Sequence, residues 1–153
     1  MYSDQFSRLW LTLQSDYEAY MERELAPDLT EVQLHTLELI LASDRAKPSD
    51  LIPHLDISPA AISTLIDRME RNELVERERD EFDRRIVWLK VTDKGRRAFE
   101  RGVEIRRNYF AARLNALSEH NQKLLCYLMG KITPSQGSEE QTNRSAEMSN
   151  QGS

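Results

Sequence analysis

The stretch from Ile57 to Thr92, ISPAAISTLIDRMERNELVERERDEFDRRIVWLKVT, constrains the fold more than any other part of the chain. It opens with a helix signal: Ser58 is a good N-cap, and Pro59 suits the first helical position because its missing N–H would have no partner there. Ile62, Leu65, Ile66 and Met69 follow at the spacing of one buried helical face. That turns Pro59, Ala60, Ser63, Thr64, Asp67 and Arg68 outward. The later part predicts two strands, Val75 to Arg79 and Ile86 to Val91, joined by the hydrophilic loop Asp80 to Arg85. In the second strand Val87, Leu89 and Val91 alternate with Ile86, Trp88 and Lys90, the period of a ribbon with one buried face. Small residues on the exposed front of the helix suit entry into a groove about 12 Å wide, the major groove of a duplex.

The flanking segments are helical. Phe6, Leu9, Trp10, Leu13, Tyr17, Tyr20, Met21 and Leu25 form an apolar stripe that Pro27 ends. Thr30 and Gln33 have capping-box spacing, with Leu29 and Leu34 placed as a hydrophobic staple, so a second helix starts there and runs to about Ser43-Asp44. A third, around Asp50 to Leu55, precedes the turn Asp56-Ile57 and makes a helix-turn-helix with the next. Pro53 predicts that this helix is short or bent. Thr92 caps a long helix to about Asn115, with Phe99, Val103, Ile105, Tyr109, Phe110 and Leu114 on it, and Ser118 caps a last one carrying Leu124, Leu125, Leu128 and Ile132. From residue 134 to 153 the chain is almost devoid of apolar residues and is expected to be disordered.

Composition narrows the function. The net charge of −5 weighs against nucleic acid until it is mapped: Met1 to Ser43 holds two basic and eight acidic residues, whereas Asp44 to Arg101 holds thirteen of each. The single cysteine, Cys126, excludes an internal disulfide, and its helical position with no clear cationic neighbour favours an incidental thiol over a redox sensor. No apolar run reaches the roughly 18 residues of a membrane span, and Met1 to Leu13 lacks the basic start of a secretory signal, so a cytoplasmic protein is expected. His35, His54 and His120 are scattered, and no phosphate loop, metal-spaced cysteines or nucleophile elbow appears. Neither an enzyme, a metal site nor a cofactor is expected.

The central residues resemble a family pattern. Leu74-Val75, Arg77, Asp80-Glu81-Phe82-Asp83-Arg84-Arg85 and Val91-Thr92-Asp93-Lys94-Gly95 match the Leu-Val pair, the arginine, the Asp-x-x-Asp-Arg-Arg wing and the Leu-Thr-x-x-Gly segment of the MarR family of bacterial winged-helix regulators. Two departures stand out. Glu73 occupies the usual glycine position, where a left-handed helix end would cost about 1 kcal/mol, so Asn72 is expected to take that conformation instead. Glu81-Phe82 stands where the wing often has proline.

The resemblance implies a mainly α fold with a small β-wing: one domain over 1–133, a winged-helix core at about 30–92, dimerisation helices at about 3–25 and 93–133, and the tail at 134–153. It implies a homodimer whose contacts come from Met1 to Glu24 and Tyr109 to Ile132, binding a pseudo-palindromic double-stranded operator as a repressor. Ser58, Pro59, Ala60, Ser63, Thr64 and Arg68 would meet the major groove, and Arg84 and Arg85 the minor groove. Asp83 would brace the arginine and pair with Arg77 across the ribbon. A small aromatic or phenolic effector would lie among Trp10, Tyr17, His35 and Tyr109, although aromatics at helical spacing are also ordinary core. The competing expectation is a winged-helix protein-interaction module without DNA binding, motivated by the acidic balance and Glu73.

Overall fold

The computed structural model describes residues 1–134, so the expected disordered tail lies outside the described residues except for Pro134. Its elements run α1 (Tyr2–Leu25), α2 (Glu31–Ala42), α3 (Pro48–Leu51) with a 3-10 turn (Ile52–His54), α4 (Pro59–Arg71), β1 (Val75–Arg79), β2 (Val87–Val91), α5 (Asp93–Leu114) and α6 (Glu119–Ile132). They form two compact units, residues 1–111 and residues from 112 on. Mostly helical with a two-stranded wing, this is the winged-helix fold expected from the sequence.

The core of the first unit collects the apolar faces the sequence marks. Met21 and Leu25 of α1, Leu34, Leu37 and Ile40 of α2, Leu51 and Leu55, and Ile62, Ile66 and Met69 of α4 are all buried. Complete burial of a side chain of this size is worth about 1.5–3 kcal/mol, so α4 is anchored by one face while its other face is left exposed. The expected caps form: Thr30 Oγ1 accepts from the Gln33 amide while Gln33 Oε1 accepts from the Thr30 amide, Ser58 Oγ accepts from the Ala61 amide at 3.2 Å, and Thr92 and Ser118 accept from the Gly95 and Asn121 amides.

Three local details differ from the sequence-based expectation. The third helix begins at Pro48 rather than Asp50, because the Asp50 carboxylate accepts from the Lys47 amide and fixes the start there. It ends at Leu51, and Pro53 falls in the first positions of the 3-10 turn, where its missing donor leaves no hydrogen bond broken.

The end of α4 is the second. Glu73 itself is left-handed (φ 61°), while Asn72 stays at φ −84°. Two bonds decide it: Glu73 N donates to the Glu70 carbonyl and Leu74 N to the Met69 carbonyl, both at 2.9 Å, the paired bonds of a Schellman cap in which residue 73 is the left-handed position. Buried Leu74 and Met69 supply its apolar contact. Thr92 secures the segment from the other side, donating its hydroxyl to the Glu73 carbonyl at 2.5 Å and accepting from the Gly95 amide at 2.9 Å. Gly95 is required here, since an added Cβ would lie 2.0 Å from the Leu74 carbonyl oxygen.

The third detail is a pairing beyond the wing. β1 and β2 are antiparallel, with Val75 opposite Val91, Arg77 opposite Leu89 and Arg79 opposite Val87. On its other edge β2 bridges to Ala46, whose amide donates to the Leu89 carbonyl and whose carbonyl accepts from the Leu89 amide. Leu89 is consequently inaccessible to solvent, and the wing is fastened to the loop before α3.

Candidate nucleic-acid interface

On α4 the residues Ser58, Pro59, Ala60, Ser63, Thr64, Asp67 and Arg68 are exposed, opposite the face buried through Ile62, Leu65, Ile66 and Met69. Apart from Asp67 and Arg68 this face carries only small side chains, so the backbone can approach a surface closely. Thr64 and Arg68 also border an open cleft of about 420 Å³ with Thr30, Gln33 and Ile57.

The wing is locked onto this helix by Arg77. Its Nη2 donates to Asp67 Oδ1 at 2.7 Å and its Nη1 lies 3.1 Å from Glu70 Oε2. The expected pairing of Arg77 with Asp83 is not the one formed. Arg77 lies mid-strand beside α4, whereas Asp83 sits beyond the strand ends and is taken by the guanidinium two residues on. Asp83 does brace Arg85: Nε donates to Oδ1 and Nη2 to Oδ2, both at 3.0 Å, and the fork holds the Asp83 carboxyl below the usual range. Arg85 is 91% exposed, so the fork orients it without hiding it. Arg84 is exposed too, and its carbonyl accepts from Arg79 Nη1.

The loop is organised by residues the sequence reading passed over. Asp80 accepts from Trp88 Nε1 at 2.9 Å and from the amides of Phe82 and Asp83, and these donors hold its carboxyl down at about 2. The other side of the Trp88 ring meets two cations, Arg45 with its guanidinium carbon 4.1 Å from the centroid and Lys47 at 5.8 Å. Ala46 between them makes the bridge to Leu89, so strand pairing delivers both cations to the wing. The only sequence signal for this was a tryptophan on the outer face of a charged ribbon.

A MarR-family model matches residues 29–87, from just before α2 to the first residue of β2. The HTH-type transcriptional repressor MdtR of Bacillus subtilis is 25% identical over 135 residues, which is 88% of this chain and 85% of the relative. The chain is therefore similar to MarR-family regulators, most clearly over its central segment. The HTH-type transcriptional regulator MgrA of Staphylococcus aureus is 29% identical over 105 residues, 69% of this chain and 70% of its own. Among solved structures, YusO of Bacillus subtilis matches with a TM-score of 0.71 at 25% identity, over 85% of this chain and 90% of that one. A mutant MarR from E. coli, complexed with operator DNA, matches in fold with a TM-score of 0.66 at 23% identity, over 85% and 94% of the two chains.

The four aromatic and histidine residues considered for an effector are divided between sites. Tyr17 and His35 line one open cleft of about 350 Å³ with Glu31, Val32, Leu34 and Arg106. Trp10 and Tyr17 line another of about 420 Å³ with Leu13, Gln14, Glu18, Glu31 and Phe110. Tyr109 lines neither: its ring is buried against Tyr17, Tyr20 and Phe110, and its hydroxyl donates to Asp16 at 2.8 Å. Burial and the Glu31 carboxylate push the Tyr17 phenol up to about 12, while Arg106 beside it is already forked onto Glu38. Among the described residues no cluster of three or more metal-binding side chains occurs. Cys126 is exposed on α6, where Lys123 pairs with Glu119 at 2.7 Å and Lys131 lies over Tyr127.

Proposed function

We propose that this chain is a dimeric transcriptional repressor that binds a pseudo-palindromic duplex and performs no catalysis. One observation carries the reading: the small-residue face of α4 and an exposed arginine held by a carboxylate on the wing belong to one unit and are locked together through Arg77. In this assignment Ser58, Pro59, Ala60, Ser63, Thr64 and Arg68 serve the major groove, while Arg84 and Arg85 serve the minor groove. MdtR is named a repressor, which supports the direction of regulation. The dimer is supported by apolar residues left exposed in each unit: Phe6, Leu9, Trp10 and Leu13 on α1, and Leu124, Leu125, Leu128 and Ile132 on α6. Two copies related by a two-fold axis would present two α4 helices about 34 Å apart, one turn of duplex. Among the described residues no helix is long and apolar enough to cross a membrane, and a repressor works where the DNA is, in the cytoplasm. The effector assignment places a small amphipathic aromatic in the clefts that share Tyr17 and Glu31.

The deciding experiment measures affinity for mixed genomic fragments as salt is raised. Phosphate neutralisation releases counterions, so log K must fall linearly with log salt, by about 0.9 for each phosphate contacted. Absence of binding at low salt overturns the proposal and favours the interaction-module alternative. Release of bound DNA by members of a phenolic-acid panel tests the effector; no release by any member removes it.

A further inference from the structure

Between the two wing strands Phe82 is 96% exposed. Nothing in the loop can bury it. The Phe82 amide is tied to Asp80 Oδ1 at 2.9 Å and the Asp83 amide to the same oxygen at 3.0 Å, while the other Asp80 oxygen is held by Trp88. The backbone on both sides of the ring is therefore fixed in a turn that aims it outward. Its surroundings are balanced in charge: Asp80 and Asp83 are held by internal bonds, Asp83 by Arg85, while Arg79 ends β1 and Arg84 belongs to the same loop. Glu81 is the remaining exposed carboxylate and works against phosphate approach, so charge alone gives this tip a poor contact with DNA.

We propose that Phe82 is an apolar wedge that enters the minor groove and partly unstacks one base step at each wing contact. The inference rests on the DNA-binding function proposed above. Apolar side chains such as Phe can insert from the minor groove between base steps, which fits an aromatic tip with arginines on the same loop. Insertion removes the ring from water and unstacks a base step, and the cost of unstacking is lowest at flexible pyrimidine–purine steps. Phe82 thereby contributes sequence preference at positions that no side chain of α4 reads, and bends the duplex as Arg85 anchors the adjacent phosphates.

The test uses the full chain and the tightest duplex recovered by selection from a random pool, carrying in turn at each adenine a fluorescent analogue that brightens on unstacking. Wild-type protein is expected to brighten the analogue at one step in each outer flank of the site. Phe82→Ala is expected to bind about tenfold more weakly with an unchanged salt slope, to lose the brightening, and to keep the wild-type circular dichroism because the residue packs against nothing. Phe82→Leu, still an apolar wedge, is expected to retain part of both. Wild-type affinity in Phe82→Ala, or weakened binding with no brightening by the wild type, overturns the wedge and leaves DNA binding standing. Failure of the wild type to select any duplex removes both.

Discussion

Arg77 and Asp67 meet at 2.7 Å, tying the middle of the first wing strand to the exposed face of α4. The same guanidinium reaches Glu70, so one arginine engages both carboxylates that stand on or beside the face proposed to meet DNA and offsets one of their two charges. Exposed pairs contribute little to folding, about 0–1 kcal/mol, so Arg77→Ala is expected to leave the melting temperature nearly unchanged. DNA affinity should fall much further, since two freed carboxylates repel phosphate and the wing loses its register with the helix. Asp67→Asn in the Arg77→Ala background should recover part of the loss. Arg77→Lys should recover less than full affinity, because a point charge cannot hold two carboxylates in a fixed fork. A binding titration of the four proteins checks this, and equal stability and affinity losses would sink it.

Glu73 carries a left-handed backbone only because the Schellman bonds and Thr92 require it. Glu73→Gly removes a steric cost of about 1 kcal/mol and forfeits only the long 3.4 Å contact with Lys94, which is exposed and weak. A gain of about 0.5–1 kcal/mol is expected, reduced by the greater freedom of glycine in the unfolded chain. Urea denaturation measures it. Gly95→Ala, by contrast, drives a Cβ into the Leu74 carbonyl and should destabilise severely.

These two positions also show what the sequence could and could not reveal. The buried face of α4, both caps and the strand alternation were legible because each is a local pattern: a helical period, a cap with its partner three residues on, a period of two. Glu73 was misjudged because residue propensity favoured Asn72, while the choice was made by hydrogen bonds that fix which residue must reverse. Partners across elements carry no local signature. Arg77 with Asp67, Trp88 under Arg45 and the lone bridge from Ala46 to Leu89 depend on how elements pack, and a single bridged residue has no periodicity to detect.

Tyr17 offers a pH test of the cleft. Burial, followed by the hydrogen bond and charge of Glu31, raises its phenol from the ordinary value near 10 to about 12. A raised phenol means that the neutral form is the one stabilised by the fold. Its contribution is complete below about pH 10 and is lost as pH climbs through about 12. Phenolate absorbance should therefore show a late-titrating component that loses about one tyrosine in Tyr17→Phe. In Glu31→Gln it should shift down only part of the way, because burial, the largest cause, remains. A late component unchanged in Tyr17→Phe would contradict this.

The proposed dimer rests on apolar side chains that the described residues leave exposed. Leu125 and Leu128 on α6 are 39% and 51% exposed, and covering each fully in an interface is worth up to about 1.5–3 kcal/mol. Replacing both by Glu is expected to convert a micromolar-stable dimer to monomer without unfolding the winged-helix unit. Sedimentation gives the mass and circular dichroism the fold. A monomeric parent would end the dimer proposal.

Helix and wing should divide the work of recognition. Arg68 lies on the exposed face of α4 and can bridge a guanine through two donors, whereas Ser63 and Thr64 serve several bases. Arg85 is different: Asp83 occupies Nε and Nη2, which fixes the plane of the guanidinium and leaves its remaining donors for phosphate or the floor of a narrow groove. A charge used in this way follows groove width and the phosphate field more than base identity. Arg85→Ala is thus expected to weaken binding to all duplexes together and to lower the salt slope by about one. Arg68→Ala should cost about 1–3 kcal/mol chiefly on the preferred duplex. Asp83→Asn, which loosens the fork but leaves Arg85 charged, should retain the wild-type salt slope while losing affinity. Measured against salt on one selected and one scrambled duplex, equal and sequence-independent losses from Arg68→Ala and Arg85→Ala would remove base reading from α4. Unchanged binding by Arg85→Ala would remove this arginine from the wing's role and leave Arg84 and Phe82 as its candidate contacts.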